Sequence, residues 1–218
     1  MTNTIHINTP LSDPVIENLK IGDRVKISGV LYTARDAAHE RLANLIDQGK
    51  ELPFDIKNQI IYYTGPSPAP PGMPIGSCGP TTSYRMDKYT PLLLSLGLKA
   101  TIGKGNRSEE VLEAMKKYKA VYFVATGGAA ALLAQSVKRM EVVAYEDLGA
   151  EAIRKLEVEN FPAIVANDIY GNDLYKEGVL AYSKTGNTLV LLKVVTKEGK
   201  CQTVANFSIL FHHILLLK

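Results

Sequence analysis

Residues 76–87 read GSCGPTTSYRMD, placing a cysteine, two threonines and an arginine in one short stretch. Gly79-Pro80 suits a helix entry, because proline is tolerated in the first turn, where its missing N–H costs nothing. A helix from Pro80 carries Thr82, Met86, Tyr89 and Leu93 on one face as its core stripe. Thr81 and Arg85, one turn apart, share a different face at the start of that helix. Unpaired N–H groups and the positive dipole end there would join a hydroxyl and a guanidinium in a carboxylate or phosphate site. The plainer alternative is that Thr81 or Thr82 caps the helix and Arg85 is a surface charge.

Three further stretches pair a strand end with a helix start. In TARDAAH (33–39), Arg35 falls at the carboxyl end of a strand, the usual ligand edge of an open α/β sheet. Asp36 is a natural N-cap, and His39 lies one turn into the helix, where a hydrogen-bonded structural histidine is the plainer reading. In TIGKGNRS (101–108), Lys104 lies between glycines that let backbone approach a ligand, although the Walker spacing is absent. A turn lysine in solvent is the alternative. In ATGGAAALL (125–133), small residues suit either an anion at a helix start or close packing.

Arg35, Arg85 and Lys104 therefore fall at positions that such a fold gathers on one edge. Two arginines and a lysine suit a small dianion, since arginine pairs with carboxylate through two parallel hydrogen bonds. A hydrolase reading fails: no GxSxG occurs, and nothing marks a histidine as the partner of Cys78. With only Cys78 and Cys201, and His6, His39, His212 and His213 at unhelpful spacings, this chain lacks a ligand set for a closed zinc site or an iron–sulfur cluster.

The elements that must position these residues alternate. RVKISGVLYTA reads as a strand, DAAHERLANLID as a helix ended by Gly49, and QIIYYTG (59–65) as a short strand entering a proline-rich loop. KATIG (99–103), AVYFVAT (120–126), MEVVAY (140–145) and FPAIVAND (161–168) read as strands. SEEVLEAMKKY (108–118), GGAAALLAQSV (127–137) and EDLGAEAIRKL read as helices between them. The expected class is α/β, with a largely parallel sheet covered on both faces. After Gly178 the pattern changes, giving a domain over 1–178 and a C-terminal extension over 179–218 of uncertain role.

At 218 residues, 46% apolar and with a net charge of +3, the chain suits one core-forming domain. Its scattered basic residues exclude a nucleic-acid stripe. No secretory signal and no apolar run long enough for a membrane span are legible, so a cytoplasmic, reduced location is the expectation.

TARDAAH, IYYTGPSPA, IGSCGPTTSYRMD, ATIGKG, VYFVATGGAAALLA, VAYEDLGAEAI and FPAIVANDIYGNDLY together resemble the β component of class I iron–sulfur fumarases, over roughly residues 15–178. L-tartrate dehydratase β subunits are similar, though less closely. The resemblance implies reversible hydration of fumarate to (S)-malate, with a 4Fe-4S cluster bound by three cysteines of a separate α component. It also implies a swivelling β/β/α domain with a mixed sheet, and an obligate α partner in an α2β2 assembly. Arg35, Arg85 and Lys104 would then grip the substrate carboxylates and Thr81 would be the catalytic hydroxyl, with Asp36 and His39 orienting Arg35. The alternatives are a tartrate dehydratase β subunit, a non-catalytic anion-binding module, and a stand-alone small-anion enzyme.

Overall fold

The computed structural model describes residues 4–185, 192–195 and 201–204. The chain divides into two units, Met1–Tyr175 and Lys176–Lys218. In the first, β1 (Ile5–Asn8), α1 (Asp13–Glu17), β2 (Arg24–Thr33), α2 (Asp36–Asp47) and β3 (Ile60–Tyr62) are followed by α3 (Thr90–Ser95), β4 (Ala100–Gly103) and α4 (Glu109–Tyr118). Then come β5 (Val121–Val124), α5 (Ala130–Gln135), β6 (Val137–Ala144) and β7 (Ile153–Asn167).

Strands β1 to β5 pair parallel in sequence order, while β7 runs antiparallel to β5 and β6. β7 also pairs antiparallel with β2, so β2, β3, β4, β5 and β7 form a closed circuit. The sheet is mixed, as expected, but it is not the open sheet that the alternating pattern suggested. β7 makes the difference because it is long enough to lie along both β2 and β5.

Alternation explains why both faces of the short strands are apolar. Ile60 and Tyr62 of β3, with Val121 and Phe123 of β5, point into one core with Ile27, Leu156 and Phe161. Ile61 and Tyr122 point the other way, into a second core with Ala38 and Leu42 of α2, Leu93 of α3 and Met115 of α4. Helix α4 is capped by Ser108, whose hydroxyl accepts from Val111 N–H at 3.4 Å, and carries Glu109 and Glu110 in its first turn and Lys116 and Lys117 in its last, complementing its dipole.

Two expected helices change. EDLGAEAIRKL forms only a 3-10 turn, Glu146–Glu151, after which Ile153 begins β7. Strand partners on both sides, Leu31 opposite Leu156 and Arg154 opposite Val142, override its local helical preference. GGAAALLAQSV is a 3-10 turn (Gly127–Ala129) followed by the short α5.

The second unit contains most of α6 (Leu174–Thr185) and an antiparallel pair, β8 (Leu192–Val195) with β9 (Cys201–Val204). The expectations for 179–218 otherwise fall outside the described residues. Among the described residues no helix is long and apolar enough to cross a membrane.

Candidate active site

The stretch GPTTSYR does not open a helix. Thr81 N–H donates to the Tyr63 carbonyl (2.6 Å), Lys104 N–H to the Thr81 carbonyl (3.2 Å) and Ser83 N–H to the Lys104 carbonyl (2.9 Å). Residues 81–83 are thus an extended insert between the chain segments leaving β3 and β4, with Thr82 bridged parallel to Lys104. Strand ends supply backbone partners that a helix starting at Pro80 would forgo. A single 3-10 turn, Ser83–Met86, follows, and α3 starts only at Thr90. Thr81 and Arg85 therefore share no helix face, and no helix dipole serves Thr81.

Glycine is required at 103 by this insert. A Cβ there would lie 1.9 Å from Ser83 Oγ and 3.2 Å from the Thr81 carbonyl. The preceding loop is pinned by Tyr62, whose hydroxyl donates to the Cys78 carbonyl, and by Thr64, whose hydroxyl donates to the Gly79 carbonyl (2.8 Å). Cys78 is fully buried, and burial pushes its thiol up to about 11, so it is protonated at neutral pH. Thr81 is half-buried, and its hydroxyl has no hydrogen bond among the described residues.

Helix α2 begins one residue earlier in role than its sequence suggests. Arg35 is the N-cap, with φ −124° and no side-chain cap, and Asp36 is the first helical residue. Asp36 therefore does not cap; its Oδ1 accepts from Arg85 Nε at 2.9 Å, and its Oδ2 forms an ion pair with Arg85 Nη2 at 2.8 Å. The expectation that Asp36 orients Arg35 is corrected accordingly: it orients Arg85. The outer edge of the Arg85 guanidinium stays available, since five N–H donors exceed what one carboxylate takes.

His39 has the surroundings of a hydrogen-bonded structural histidine, and its partner is Arg35. It is fully buried, and its Nδ1 lies 2.8 Å from the Arg35 carbonyl, so Nδ1 carries the proton. It steadies the Arg35 backbone rather than the guanidinium. Burial pulls its pKa down to about 4, keeping the ring neutral, and Nε2 has no hydrogen-bond partner among the described residues. The ring meets Tyr63 edge-on at 5.3 Å.

Arg35 lies across Gly65, where a Cβ would sit 2.5 Å from Nη1. Its Nη2 is 3.5 Å from Glu151 Oε1, and the other Glu151 oxygen accepts the Ala37 N–H at 3.0 Å. Lys104 is exposed, with no ion pair among the described residues. A Cβ on Gly127 would lie 3.7 Å from its Nζ. Arg35, Gly65, Lys104 and Gly127 follow the carboxyl ends of β2, β3, β4 and β5, which run parallel, so all four fall on one rim.

A buried arginine underpins this rim, and sequence reasoning missed it. Arg107 gives Nε to Asp87 (2.7 Å), Nη1 to Thr101 Oγ1 (2.9 Å) and Nη2 to Thr90 Oγ1 (2.7 Å). The other Asp87 oxygen accepts from Ser108 N–H at 2.6 Å. Asp87 and Arg107 stood inside the SYRMD and GNRS stretches, but their neighbours Arg85 and Lys104 drew the reading. Glu151 carried no local signal at all. Among the described residues no group of three His, Cys, Asp or Glu side chains could hold a metal ion.

Fold and site together define an α/β domain that presents two arginines, a lysine and a threonine hydroxyl along one rim of parallel strand ends. The chain belongs to the fumarase C-terminus family, whose model matches residues 1–178. It is 45% identical over 177 residues to an anaerobic class I fumarate hydratase of Escherichia coli, covering 79% of this chain and 32% of that protein. A mitochondrial fumarate hydratase of Leishmania major is 40% identical, again over 79% of this chain and 32% of that protein. The chain thus matches about a third of the length of these relatives. A Methanocaldococcus jannaschii protein provisionally named L(+)-tartrate dehydratase subunit beta is 42% identical over 168 residues, which is 74% of this chain and 86% of that protein.

Proposed function

We propose that this chain is the β subunit of a two-subunit iron–sulfur fumarate hydratase, cytoplasmic and active only with a cluster-bearing α subunit in an α2β2 assembly. The supporting observation is the single rim carrying Arg35, Arg85, Lys104 and Thr81 on a chain whose fumarate hydratase relatives are about three times its matched length. The high coverage of the archaeal subunit beta supports a separate-subunit arrangement. The donor set of the described residues does not fit a 4Fe-4S cluster, because no three His, Cys, Asp or Glu side chains converge and Cys78 is buried in the core. The cluster in this proposal therefore belongs to the partner, and a swivelling movement of this β/β/α domain would bring the rim to it.

In that assembly Arg35 and Arg85 bind the two carboxylates of fumarate or malate. Loss of a proton α to a carboxylate concentrates negative charge on that carboxylate, and fixed guanidinium and ammonium groups stabilise it. Asp36 holds Arg85 by its inner edge, so the guanidinium meets substrate already oriented. Lys104 adds the third positive charge. The Thr81 hydroxyl is the proton-handling group, and its Lewis-basic form needs those cations close by.

Two substrates must be compared. Co-expression with the α subunit should give a complex that hydrates fumarate and dehydrates (S)-malate, with tartrate a poor substrate. A large preference for tartrate would move the assignment to L-tartrate dehydratase, the reading that the archaeal relative favours. Full activity in an Arg85→Ala complex would show that Arg85 is no substrate clamp, and would favour a non-catalytic anion-binding module. Turnover by this chain alone would mark a stand-alone enzyme.

A further inference from the structure

We infer that Glu151 is a positioning residue for both arginines, an inference that rests on the dicarboxylate reading of the rim. Three consecutive residues at the start of α2 face different tasks. Arg35 must hold its guanidinium over Gly65, Asp36 must hold Arg85, and the N–H of Ala37 has no partner within the helix. The N-cap position is occupied by an arginine, which has no acceptor to give that N–H. Glu151 supplies it: one oxygen accepts from Ala37 N–H at 3.0 Å, while the other lies 3.5 Å from Arg35 Nη2. A single carboxylate thus fixes the turn from which both arginines are aimed, although it never touches Arg85.

The turn carrying Glu151 is built to keep that carboxylate still. Arg154 donates to the carbonyls of Gly149 (2.7 Å), Ala150 (3.1 Å) and Ala152 (3.1 Å). The Thr33 hydroxyl at the end of β2 donates to the Ala152 carbonyl (3.2 Å) and accepts from Arg154 N–H (3.0 Å). The same turn walls the Arg35 slot, since a Cβ on Gly65 would lie 3.2 Å from the Ala150 carbonyl. Arg35 is confined by Gly65 on one side and drawn to Glu151 on another.

A carboxylate beside an anion site opposes substrate by charge, and this separates positioning from a mere counter-ion role. A counter-ion predicts tighter substrate binding in both Glu151→Ala and Glu151→Gln. Positioning predicts that Glu151→Ala raises KM for fumarate roughly tenfold with kcat within about threefold, the size of one lost charge-assisted contact. Glu151→Gln, which keeps the length and an acceptor for Ala37, should stay within about threefold of wild type on both constants. These constants are read in the complex with the α subunit. Independently of turnover, the arginine Nε–Hε resonances of the full 15N-arginine-labelled chain should shift for Arg35 and also for Arg85 in Glu151→Ala. An unmoved Arg85 resonance, or a KM unchanged or lowered in Glu151→Ala, overturns the inference. A wild-type complex that turns over no dicarboxylate overturns the functional reading instead, and the resonances then decide the role of Glu151 alone.

Discussion

Two arginine–aspartate pairs leave the same short segment and do opposite work. Arg85 reaches to Asp36 at 2.8 Å, with side chains 41% and 34% exposed. Two residues on, Asp87 reaches Arg107 at 2.7 Å, with exposures of 11% and 0%. In the buried pair each guanidinium nitrogen and each carboxylate oxygen has a partner: the guanidinium spans Thr101 and Thr90 and stacks near the Tyr122 ring at 5.0 Å, and the second carboxylate oxygen accepts from Ser108 N–H. The outer pair leaves one guanidinium edge unspent. The two pairs are alike in contact distance and differ in solvent exposure and in unused donors.

The largest expected effect lies on the buried pair. Arg107→Ala strands the Asp87 carboxylate and two threonine hydroxyls beside Tyr63 and Tyr122, and should cost roughly 3–5 kcal/mol in urea unfolding at pH 7. Arg85→Ala should change that stability by less than about 1 kcal/mol, because the pair is exposed. In the proposed complex with an α subunit it should lower kcat/KM for fumarate roughly a hundredfold, the scale of removing one aimed positive charge. Equal stability losses in the two variants would erase the distinction.

How far this was legible in the sequence follows the range of the interactions. Helix α2 occupies Asp36–Asp47, as its apolar spacing indicates, because Ala38 and Leu42 pack locally predictable positions against the sheet. The strand–helix–strand run from β4 to β5 is legible for the same reason. The closed circuit was not, because it depends on β7 meeting β2 across more than a hundred residues of chain, as in Arg24 opposite Ile164. Pro80 misled because proline opens helices and extended inserts equally well, and only the Tyr63 and Lys104 backbones decide between them. At the site, the residue types and their strand-end positions were readable. Their pairings were not: Asp36 is adjacent to Arg35 in sequence yet binds Arg85, and Glu151 arrives from a distant turn.

The third-largest effect is a pH dependence confined to the buried side. His39 falls from 6.5 to about 4 because burial disfavours its charged form. The unfolded chain therefore binds a proton that the folded chain refuses, and stability is lost as pH falls below about 6.5. Between pH 7 and pH 5 this amounts to about 2 kcal/mol, levelling off below about pH 4. Unfolding curves at pH 7 and 5 for wild type and His39→Gln test it: the glutamine variant should lose less across that interval, and parallel losses would refute the assignment.

The smallest change in chemistry, carboxylate to amide, can be made on both pairs. In Asp36→Asn one oxygen still accepts from Arg85, while the new amide group faces a guanidinium N–H. With water at hand the arginine can turn outward, so stability should change by less than about 1 kcal/mol. The guanidinium loses its fixed angle, and kcat/KM in the complex should fall by roughly threefold to tenfold. In Asp87→Asn the amide must oppose either Arg107 Nε, on a side chain with no solvent exposure, or the backbone N–H of Ser108, and neither can turn away. That variant should cost roughly 1–3 kcal/mol, since a buried donor is left without an acceptor. The ranking therefore reverses between the two readouts: Asp87→Asn is worse for folding, and per molecule that remains folded Asp36→Asn is worse for turnover. If Asp87→Asn leads on both after correction for the folded fraction, Arg85 is not held for substrate by Asp36, and the outer pair is only a weaker version of the inner one.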